Sequence, residues 1–284
     1  MIYIEPFDNP EKVNWKLPPS KSHMIRWMAL GAQSNSETEI IFSGIPGDDI
    51  HSMADCLEKL GARVKKGDGC WKMNGGLVRE TSENMILHCG NSATTARVIC
   101  CIASTLHGKI TIDGDESLRM RDSSQMNSIL RALWCRISSD EMPFKIEGAI
   151  ESGIVVVDES KSSQILTGLM LASPRYEGEV SVILDGEGVS RGYRRLTLDI
   201  CKLCGWIGHV DSNPIHLRKW EVIIPNKVQI PQEISLLPMS ILFDKLHGTK
   251  SYSEEILTND LGIMNAIDCM VKCEGGEVDL RDAS

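Results

Sequence analysis

Residues 19–26 read PSKSHMIR, and the apolar run WMAL follows directly. Small polar residues before an apolar helical pattern are typical of a helix start, so we expect Ser20 or Ser22 to cap a helix here. The N–H groups of a first helical turn favour anions, and Lys21 and Arg26 would add positive charge beside them. Since capped basic helix starts are common on protein surfaces, this stretch alone does not identify a binding site.

Similar polar clusters recur along the chain at nearly constant intervals. Lys21, Asn91, Ser163 and Ile234 are separated by 70, 72 and 71 residues. Each cluster opens an apolar helical pattern, which is followed by a β-rich segment and by a second helical pattern. This order predicts four βαβαββ units in an α/β (α+β) fold. Because the period exceeds that of solenoid repeats, we expect a pseudo-symmetric domain whose helix starts converge on one site.

The segments within these units can be located from their hydrophobic periodicity. First helices are predicted at residues 27–32, 96–105, 165–172 and 236–246. Second helices are predicted at 50–60 and 195–203, and a short strand at 2–5. The β-rich segments are predicted at 37–42, 109–112, 179–184 and 250–252.

Length and composition exclude several classes of protein. With 284 residues, 42% of them hydrophobic, the chain can bury one large core or two smaller ones. A net charge of −9 argues against nucleic acid as a partner, and no apolar run reaches the roughly 18 residues of a membrane span. The first residues, MIYIE, show no leader pattern. We therefore expect a cytoplasmic protein that binds small molecules, with no membrane or nucleic-acid partner.

The ten cysteines are most simply explained as reduced thiols, several of them inside helices. Two pairs could form a split zinc site, Cys201 with Cys204 and Cys269 with Cys273. Both pairs fall in helical patterns that lack the turn residues of a zinc knuckle. We therefore expect no metal site.

Five short segments occur in a distinctive order: PSKSHMIR at 19–26, DDI at 48–50, GNSATTAR at 90–97, SSQ at 162–164 and SRGYRRLTL at 190–198. In order and spacing they resemble the motifs of the 5-enolpyruvylshikimate-3-phosphate synthases, which are enolpyruvyl transferases. The resemblance covers roughly residues 1–280. It implies transfer of an enolpyruvyl group from phosphoenolpyruvate to shikimate 3-phosphate, without a cofactor.

The resemblance also implies a division into domains. The family fold has six βαβαββ repeats in two pseudo-threefold domains, and this sequence matches the first four repeats. Residues 16–222 would then form one complete three-repeat domain on the shikimate-phosphate side. Residues 1–15 and 223–284 would be the remnant of the second domain.

For the shikimate side of the site, the resemblance implies a role for each matching residue. Lys21 would reach both substrates as the catalytic cation. Ser22 and Arg26 would hold the ring carboxylate, Arg26 through its fork of donors. The 3-phosphate would be bound by the hydroxyls and helix-start amides of Ser162, Ser163 and Ser190. Without the resemblance, the serines would be read as simple helix caps.

The remaining matches concern the ring and the second substrate. Gln164 would contact the ring or its hydroxyls, with Tyr193 alongside. Asn91 and Thr94 would border the phosphoenolpyruvate side, and Arg97 would support their helix.

Three departures from the family pattern bear on the second substrate. Ala93 stands where the family has a glycine, and its methyl group would crowd the phosphoenolpyruvate side. Ser123 takes the place of a family arginine, for which Arg119 or Arg121 could substitute only after a local shift. The family's aspartate base and further basic residues belong to repeats five and six, and its Pro-Gly-Asp motif reads PQE at 231–233 here.

These departures leave three functions open. The chain could be a transferase whose missing residues come from another polypeptide. It could instead be a diverged enzyme that acts on one substrate, by elimination from a shikimate-like acid. Most of the cationic residues that would hold the second anion are missing, and this favours elimination over transfer on mechanistic grounds. The third function is ligand binding without catalysis.

A last expectation concerns the fourth repeat, which cannot bury its apolar face alone. The exposed positions would be Leu236, Leu237, Ile241, Leu242 and Phe243. We expect this face to pack on the main domain or on a second copy, so a homodimer or a complementing chain is predicted.

Overall fold

The structure, a computed structural model, describes residues 15–81, 84–160, 162–186, 191–209 and 213–249. These residues form three β-sheets and a set of helices in a mixed α/β fold, which confirms the predicted fold class. The predicted strand at 2–5 and the β-rich segment at 250–252 lie outside the described residues.

The first unit contains two helices and three strands. In chain order these are α1 (Lys21–Gly31), β1 (Thr38–Ile41), α2 (Asp48–Lys59), β2 (Arg63–Lys65) and β3 (Cys70–Asn74). The helix predicted at 27–32 is therefore the second half of α1, which already begins within the polar cluster.

The second unit repeats this order with an additional strand at its start. It consists of β4 (Met85–His88), α3 (Ala93–Ala103), β5 (Lys109–Asp113), α4 (Glu116–Arg119), α5 (Ser124–Ala132), β6 (Arg136–Ile137) and β7 (Phe144–Glu147). The third unit consists of β8 (Gly153–Asp158), α6 (Gln164–Ala172), β9 (Val180–Asp185), α7 (Arg191–Leu203) and β10 (Ile215–Leu217). β11 (Lys227–Gln229), a short 3-10 helix (Ile234–Leu236) and α8 (Leu237–His247) follow.

Each unit contributes one sheet, and each sheet starts with a parallel pair of strands. The strand orders are β11-β1-β3-β2, β4-β5-β7-β6 and β8-β9-β10. The pairs β4–β5 and β8–β9 are parallel, whereas β3, β7 and β10 add to their sheets in antiparallel orientation. A parallel pair of strands followed by an antiparallel strand thus occurs in all three sheets, as expected of a repeated unit.

The parallel first strand of the first sheet is β11, which comes from late in the chain. It pairs with β1 in a register that places Ile40 beside Val228. The predicted domain boundary at residue 222 therefore cuts through a continuous sheet. The division into residues 16–222, with 1–15 and 223–284 as remnants, otherwise stays a prediction.

The first helices of the units, α1, α3 and α6, lie at the centre of the molecule. α1 is buried from Met24 to Gly31, and α6 from Ile165 to Ala172. A helix that is buried on all sides has to be covered by neighbouring elements, which here are the other helices and the three sheets.

The close packing of α3 on α6 depends on Gly168. A Cβ atom at this position would lie 2.8 Å from the carbonyl oxygen of Arg97 and 2.8 Å from the sulfur of Cys101. We expect Gly168→Ala to lower the free energy of unfolding by about 1–3 kcal/mol, because the backbone of α3 would have to move. Urea denaturation measures this, with Gly47→Ala as control because a Cβ there meets open space. An unchanged unfolding midpoint for Gly168→Ala would contradict this packing.

The apolar face predicted around residues 236–243 is only partly covered. Leu237 on α8 is 2% exposed, whereas the preceding Leu236 is 42% exposed. Phe243 packs edge-on against Trp15, with ring centroids 5.6 Å apart. The predicted homodimer through this face stays a prediction.

Candidate functional site

Residues from distant parts of the chain line a cleft of about 510 Å³ at the start of α1. Four of them belong to the predicted site, namely Lys21, Ser22, Asn91 and Tyr193. The fourth polar cluster contributes Glu233 to the same cleft. Three of the four clusters therefore meet in one place, as the repeat pattern predicts.

Lys21, the first residue of α1, is held at the cleft surface by an ion pair. Its Nζ atom lies 2.9 Å from Oδ2 of Asp49, which is in the first turn of α2. The two side chains are 46% and 26% exposed, and ion pairs at such positions contribute less than about 1 kcal/mol. An anionic ligand can therefore share the Lys21 ammonium group at little cost.

Arg26 is only 2% exposed, and its guanidinium group donates to protein atoms. Nε donates to Oγ1 of Thr197, and Nη1 to the Ser22 carbonyl, both at 2.8 Å. Nη2 donates to the Tyr193 carbonyl at 3.2 Å and to Oγ1 of Thr167 at 3.4 Å. A guanidinium has five N–H groups, so most of the fork that the resemblance assigns to a ligand is engaged by the protein itself.

The charge of Arg26 has no carboxylate partner among the described residues. Burial lowers the pKa of Arg26 to about 10, although Tyr193 and Cys201 act in the opposite direction. A cation in the interior costs free energy unless an anion compensates for the lost hydration. Because Ser22 and Tyr193 line the cleft, an anion bound against them would supply the missing negative charge.

Tyr193, in the first turn of α7, also covers Arg26 with its ring. The Cζ atom of Arg26 lies 5.9 Å from the ring centroid, which is within the range of a cation–π contact. Ser190, the other predicted site residue in this segment, lies outside the described residues.

A hydrogen bond between Arg97 and Gln164 connects the starts of α3 and α6, and Asn91 precedes α3. Arg97 donates from Nη1 to Oε1 of Gln164 at 2.7 Å, so Arg97 braces a predicted ring contact. Burial lowers the pKa of Arg97, and nearby Arg121 lowers it further. Asn91 is exposed, and its Oδ1 accepts a hydrogen bond of 2.9 Å from Nη2 of Arg121.

The other predicted residues lie near these helix starts but do not line the cleft. Ser162 accepts a hydrogen bond of 3.1 Å from the Gln164 amide. Ser163 is the N-cap residue of α6 and is 2% exposed. Thr94 lies in the first turn of α3 and is half-buried. The phosphate contacts expected of Ser162 and Ser163 stay predictions.

The two substitutions expected to affect the second substrate line the same narrow cavity. Ala93, Arg97, Arg121 and Ser123 border a space of about 20 Å³. A space of this size has room for about one water molecule and is smaller than a three-carbon phosphate. Arg121 contacts Asn91 on this side of the site. The position of the family's arginine is occupied by Ser123.

The cap of α1 differs from the prediction. Ser20 is the N-cap residue, but its hydroxyl makes no cap bond and contacts Nδ1 of His23 at 3.1 Å instead. The Lys21 amide donates to Oε2 of Glu233 at 3.0 Å. A carboxylate from 212 residues away therefore caps the helix that carries the site.

His23 lies beneath this helix start in a half-buried position. The pKa of His23 is lowered from 6.5 to about 4, chiefly by burial and also by the nearby charge of Arg26, whereas Glu233 acts in the opposite direction. The folded protein therefore holds His23 neutral in a pH range where the unfolded chain binds a proton.

This difference predicts a pH dependence of stability. The free energy of unfolding should fall as pH drops from about 6.5 to about 4, by up to about 3 kcal/mol from His23, and then level off. Urea unfolding at several pH values should show that His23→Gln removes this part of the dependence. The exposed His107 offers a matched control as His107→Gln. Equal pH profiles for the wild type and His23→Gln would contradict a neutral, buried His23.

A larger cleft, of about 650 Å³, lies elsewhere and contains none of the predicted site residues. It is lined by His107, Gly108 and Trp134 among others, next to the start of β5. Asn91, by contrast, follows the end of β4, which runs parallel to β5. The two clefts therefore lie toward opposite ends of this sheet.

Comparison with known proteins identifies the family. A family model described as EPSP synthase (3-phosphoshikimate 1-carboxyvinyltransferase) matches residues 10–216. The chain belongs to the EPSP synthase family. The matched region includes the five segments that carry the resemblance.

This chain aligns with about half the length of curated relatives in the family. The 3-phosphoshikimate 1-carboxyvinyltransferase of Methanothermobacter thermautotrophicus is 31% identical over 189 residues, which are 65% of this chain and 44% of that protein. That of Methanocorpusculum labreanum is 28% identical over 221 residues, 77% of this chain and 52% of that protein. This chain therefore spans about half the length of these relatives.

A solved structure of EPSP synthase from Acinetobacter baumannii shares the fold. It superposes with a TM-score of 0.70 at 21% identity, over 90% of this chain and 58% of the other. Among the described residues, no helix is long and apolar enough to cross a membrane, and no group of three or more metal-ligating side chains is close enough to hold an ion.

The contacts that Asp49, Thr167 and Glu233 make in the site were not predicted from the sequence. Asp49 was part of a matching segment, but its ion pair with Lys21 was not foreseen. Thr167 lies inside the apolar pattern of α6, where a lone hydroxyl is the only signal of its hydrogen bond to Arg26.

Proposed function

We propose that this chain binds shikimate 3-phosphate, or a closely similar cyclic acid phosphate, in the cleft at the start of α1. The observation that supports this most is the buried guanidinium of Arg26, which lies behind the cleft wall without a carboxylate partner among the described residues. A buried cation of this kind destabilises the free protein and favours an anionic ligand.

In this proposal the ring carboxylate lies against Ser22, with Arg26 behind it, and the ammonium of Lys21 faces the anion. The 3-phosphate is held by the starts of α6 and α7 through Ser162, Ser163 and Ser190. Gln164, braced by Arg97, and Tyr193 contact the ring.

The named relatives are 3-phosphoshikimate 1-carboxyvinyltransferases, so we extend the proposal to enolpyruvyl transfer from phosphoenolpyruvate, with Lys21 as catalytic residue. Transfer brings two anions together and requires acid and base groups at the reacting carbon. The cavity beside Ala93 and Ser123 leaves room for one water only. Phosphoenolpyruvate would therefore be held mainly by the half of the family's length that this chain does not span, whether from the same polypeptide or another.

Calorimetric titration with shikimate 3-phosphate, repeated in the presence of phosphoenolpyruvate, tests both parts. We expect binding of shikimate 3-phosphate that exceeds binding of shikimate and of inorganic phosphate. Stronger binding in the presence of phosphoenolpyruvate would support a two-anion site within this chain alone. Folded protein that binds none of these ligands would contradict the proposal. The homodimer and the cytoplasmic location remain predictions.

A further inference from the structure

We infer that Glu233 is an internal competitor for anionic ligands at the start of α1, and that a bound anion displaces it. This inference relies on the proposed function only for the identity of the ligand. The contact itself is visible in the structure, because the Glu233 carboxylate accepts the amide hydrogen of Lys21 at 3.0 Å.

The amide that Glu233 occupies is one that an anionic ligand needs. Lys21 is the first residue of α1, and the unpaired N–H groups of a first turn attract negative charge. The neighbouring Ser20 supplies no side-chain cap, since its hydroxyl contacts His23. Glu233 therefore provides the negative charge at this helix start when no ligand is bound.

The charges around the cleft make coexistence of Glu233 and a ligand unfavourable. Among the described residues, the charged side chains that line the cleft are Asp48, Asp49, Glu233 and Lys21, and the Lys21 ammonium is paired with Asp49. A ligand with a carboxylate and a phosphate would add at least two negative charges within a few ångströms. Like charges at such distances repel by about 1 kcal/mol or more, so a ligand binds more tightly when the Glu233 carboxylate moves away.

The Glu233 carboxylate can leave the Lys21 amide without any change in the backbone, whereas Asp49 is favoured where it is. Asp49 lies in the first turn of α2, where the helix dipole favours its negative charge, and its carboxylate pairs with the Lys21 ammonium. Glu233 lies in an irregular segment that pairs with residues 18–20 through two backbone hydrogen bonds, from the Ser20 amide to the Pro231 carbonyl and from the Glu233 amide to the Pro18 carbonyl, both 2.8 Å long. Rotation of its side chain alone frees the Lys21 amide.

Displacement of Glu233 would also affect the next residues of the chain. Its Oε1 accepts a hydrogen bond of 2.7 Å from Ser235, which lies in the short 3-10 helix Ile234–Leu236 that leads into α8. A ligand that takes over the Lys21 amide therefore removes one tie between α1 and the segment that leads into α8. Ligand occupancy and the position of that segment are thus coupled.

The test compares the wild type with Glu233→Gln in calorimetric titrations with shikimate 3-phosphate and, separately, with inorganic phosphate. Glutamine keeps an acceptor for the Lys21 amide and removes the charge, so we expect affinity for either anion to rise about tenfold. Glu233→Ala, which removes both the charge and the acceptor, should show a similar gain in affinity. Agreement between the two variants would show that the gain does not come from a local structural change in one of them. Glu221→Gln, an exposed residue outside the cleft, is the control and should change nothing.

The outcomes separate this inference from the proposed function. Equal affinity of the wild type and both Glu233 variants for shikimate 3-phosphate would overturn the displacement and leave the function standing. Tighter phosphate binding by the variants, with no shikimate 3-phosphate binding by any protein, would support the displacement and overturn the function. Absence of anion binding in all folded proteins would overturn both.

Discussion

Arg26→Met is expected to weaken binding of shikimate 3-phosphate at least about 100-fold, while the protein stays folded. The loss corresponds to about 2.7 kcal/mol, a reasonable magnitude for one buried charge-assisted contact. Stability should change little, because methionine removes a desolvated charge. Thr167 and Thr197 remain hydrogen-bonded to each other at 3.0 Å, and Thr197 to the Tyr193 carbonyl at 2.9 Å.

A matched control is available in Arg175. Burial lowers its pKa to about 10, as for Arg26, and it donates to Thr105 and to the carbonyl groups of Leu77 and Val78, away from the cleft. Titrations and urea unfolding of Arg175→Met should show unchanged affinity for shikimate 3-phosphate and, as for Arg26→Met, little change in stability. If Arg26→Met instead bound the ligand normally and unfolded easily, Arg26 would be a structural residue and the main support for the function would be lost.

Lys21→Met should weaken shikimate 3-phosphate binding about 10- to 100-fold, with the free energy of unfolding unchanged within about 1 kcal/mol. Two effects contribute to the loss. The ligand loses a charge-assisted donor, and Asp49 is left as an unpaired anion in the cleft. Calorimetry at low and moderate salt measures the affinity, and Lys202→Met, on the exposed side of α7, is the control.

The double variant Lys21→Met with Asp49→Asn separates these two effects. It should regain the affinity that Lys21→Met loses through repulsion from Asp49. The loss that is due to the missing Lys21 donor should remain. A Lys21→Met protein with wild-type affinity would show that the ligand does not reach this ammonium group, and would remove Lys21 from the proposed catalytic role.

Much of the fold could be predicted because each repeated unit is formed largely by residues that are close together in the sequence. The polar clusters at Lys21 and Asn91 precede helices that periodicity locates, and repeated units bring equivalent helix starts together. The pairing of β11 with β1 could not be predicted in this way. β11 has three residues, and its parallel partner lies almost two hundred positions earlier, so hydrophobic alternation carries too little signal.

The site was less predictable than the fold, because its details depend on contacts distant in sequence. The residues around Ser20 form a pattern typical of a helix cap. In the structure, however, the Ser20 hydroxyl contacts His23, and the Glu233 carboxylate caps the helix by accepting the Lys21 amide hydrogen. Arg26 matches a family motif, but no local pattern predicts that its guanidinium is buried among Thr167, Thr197 and Tyr193. Such networks are set by packing between units.

The central claim, that a cyclic acid phosphate binds at the start of α1, is tested most directly by amide NMR of the labelled protein during titration with shikimate 3-phosphate. The amide signals of Lys21, Ser22, Asn91 and Tyr193 should shift together and saturate with one affinity. The signals of Trp134 and Glu147, in the larger cleft, should stay in place. Shifts confined to Trp134 and Glu147, or no saturable shift near Lys21, would contradict the account.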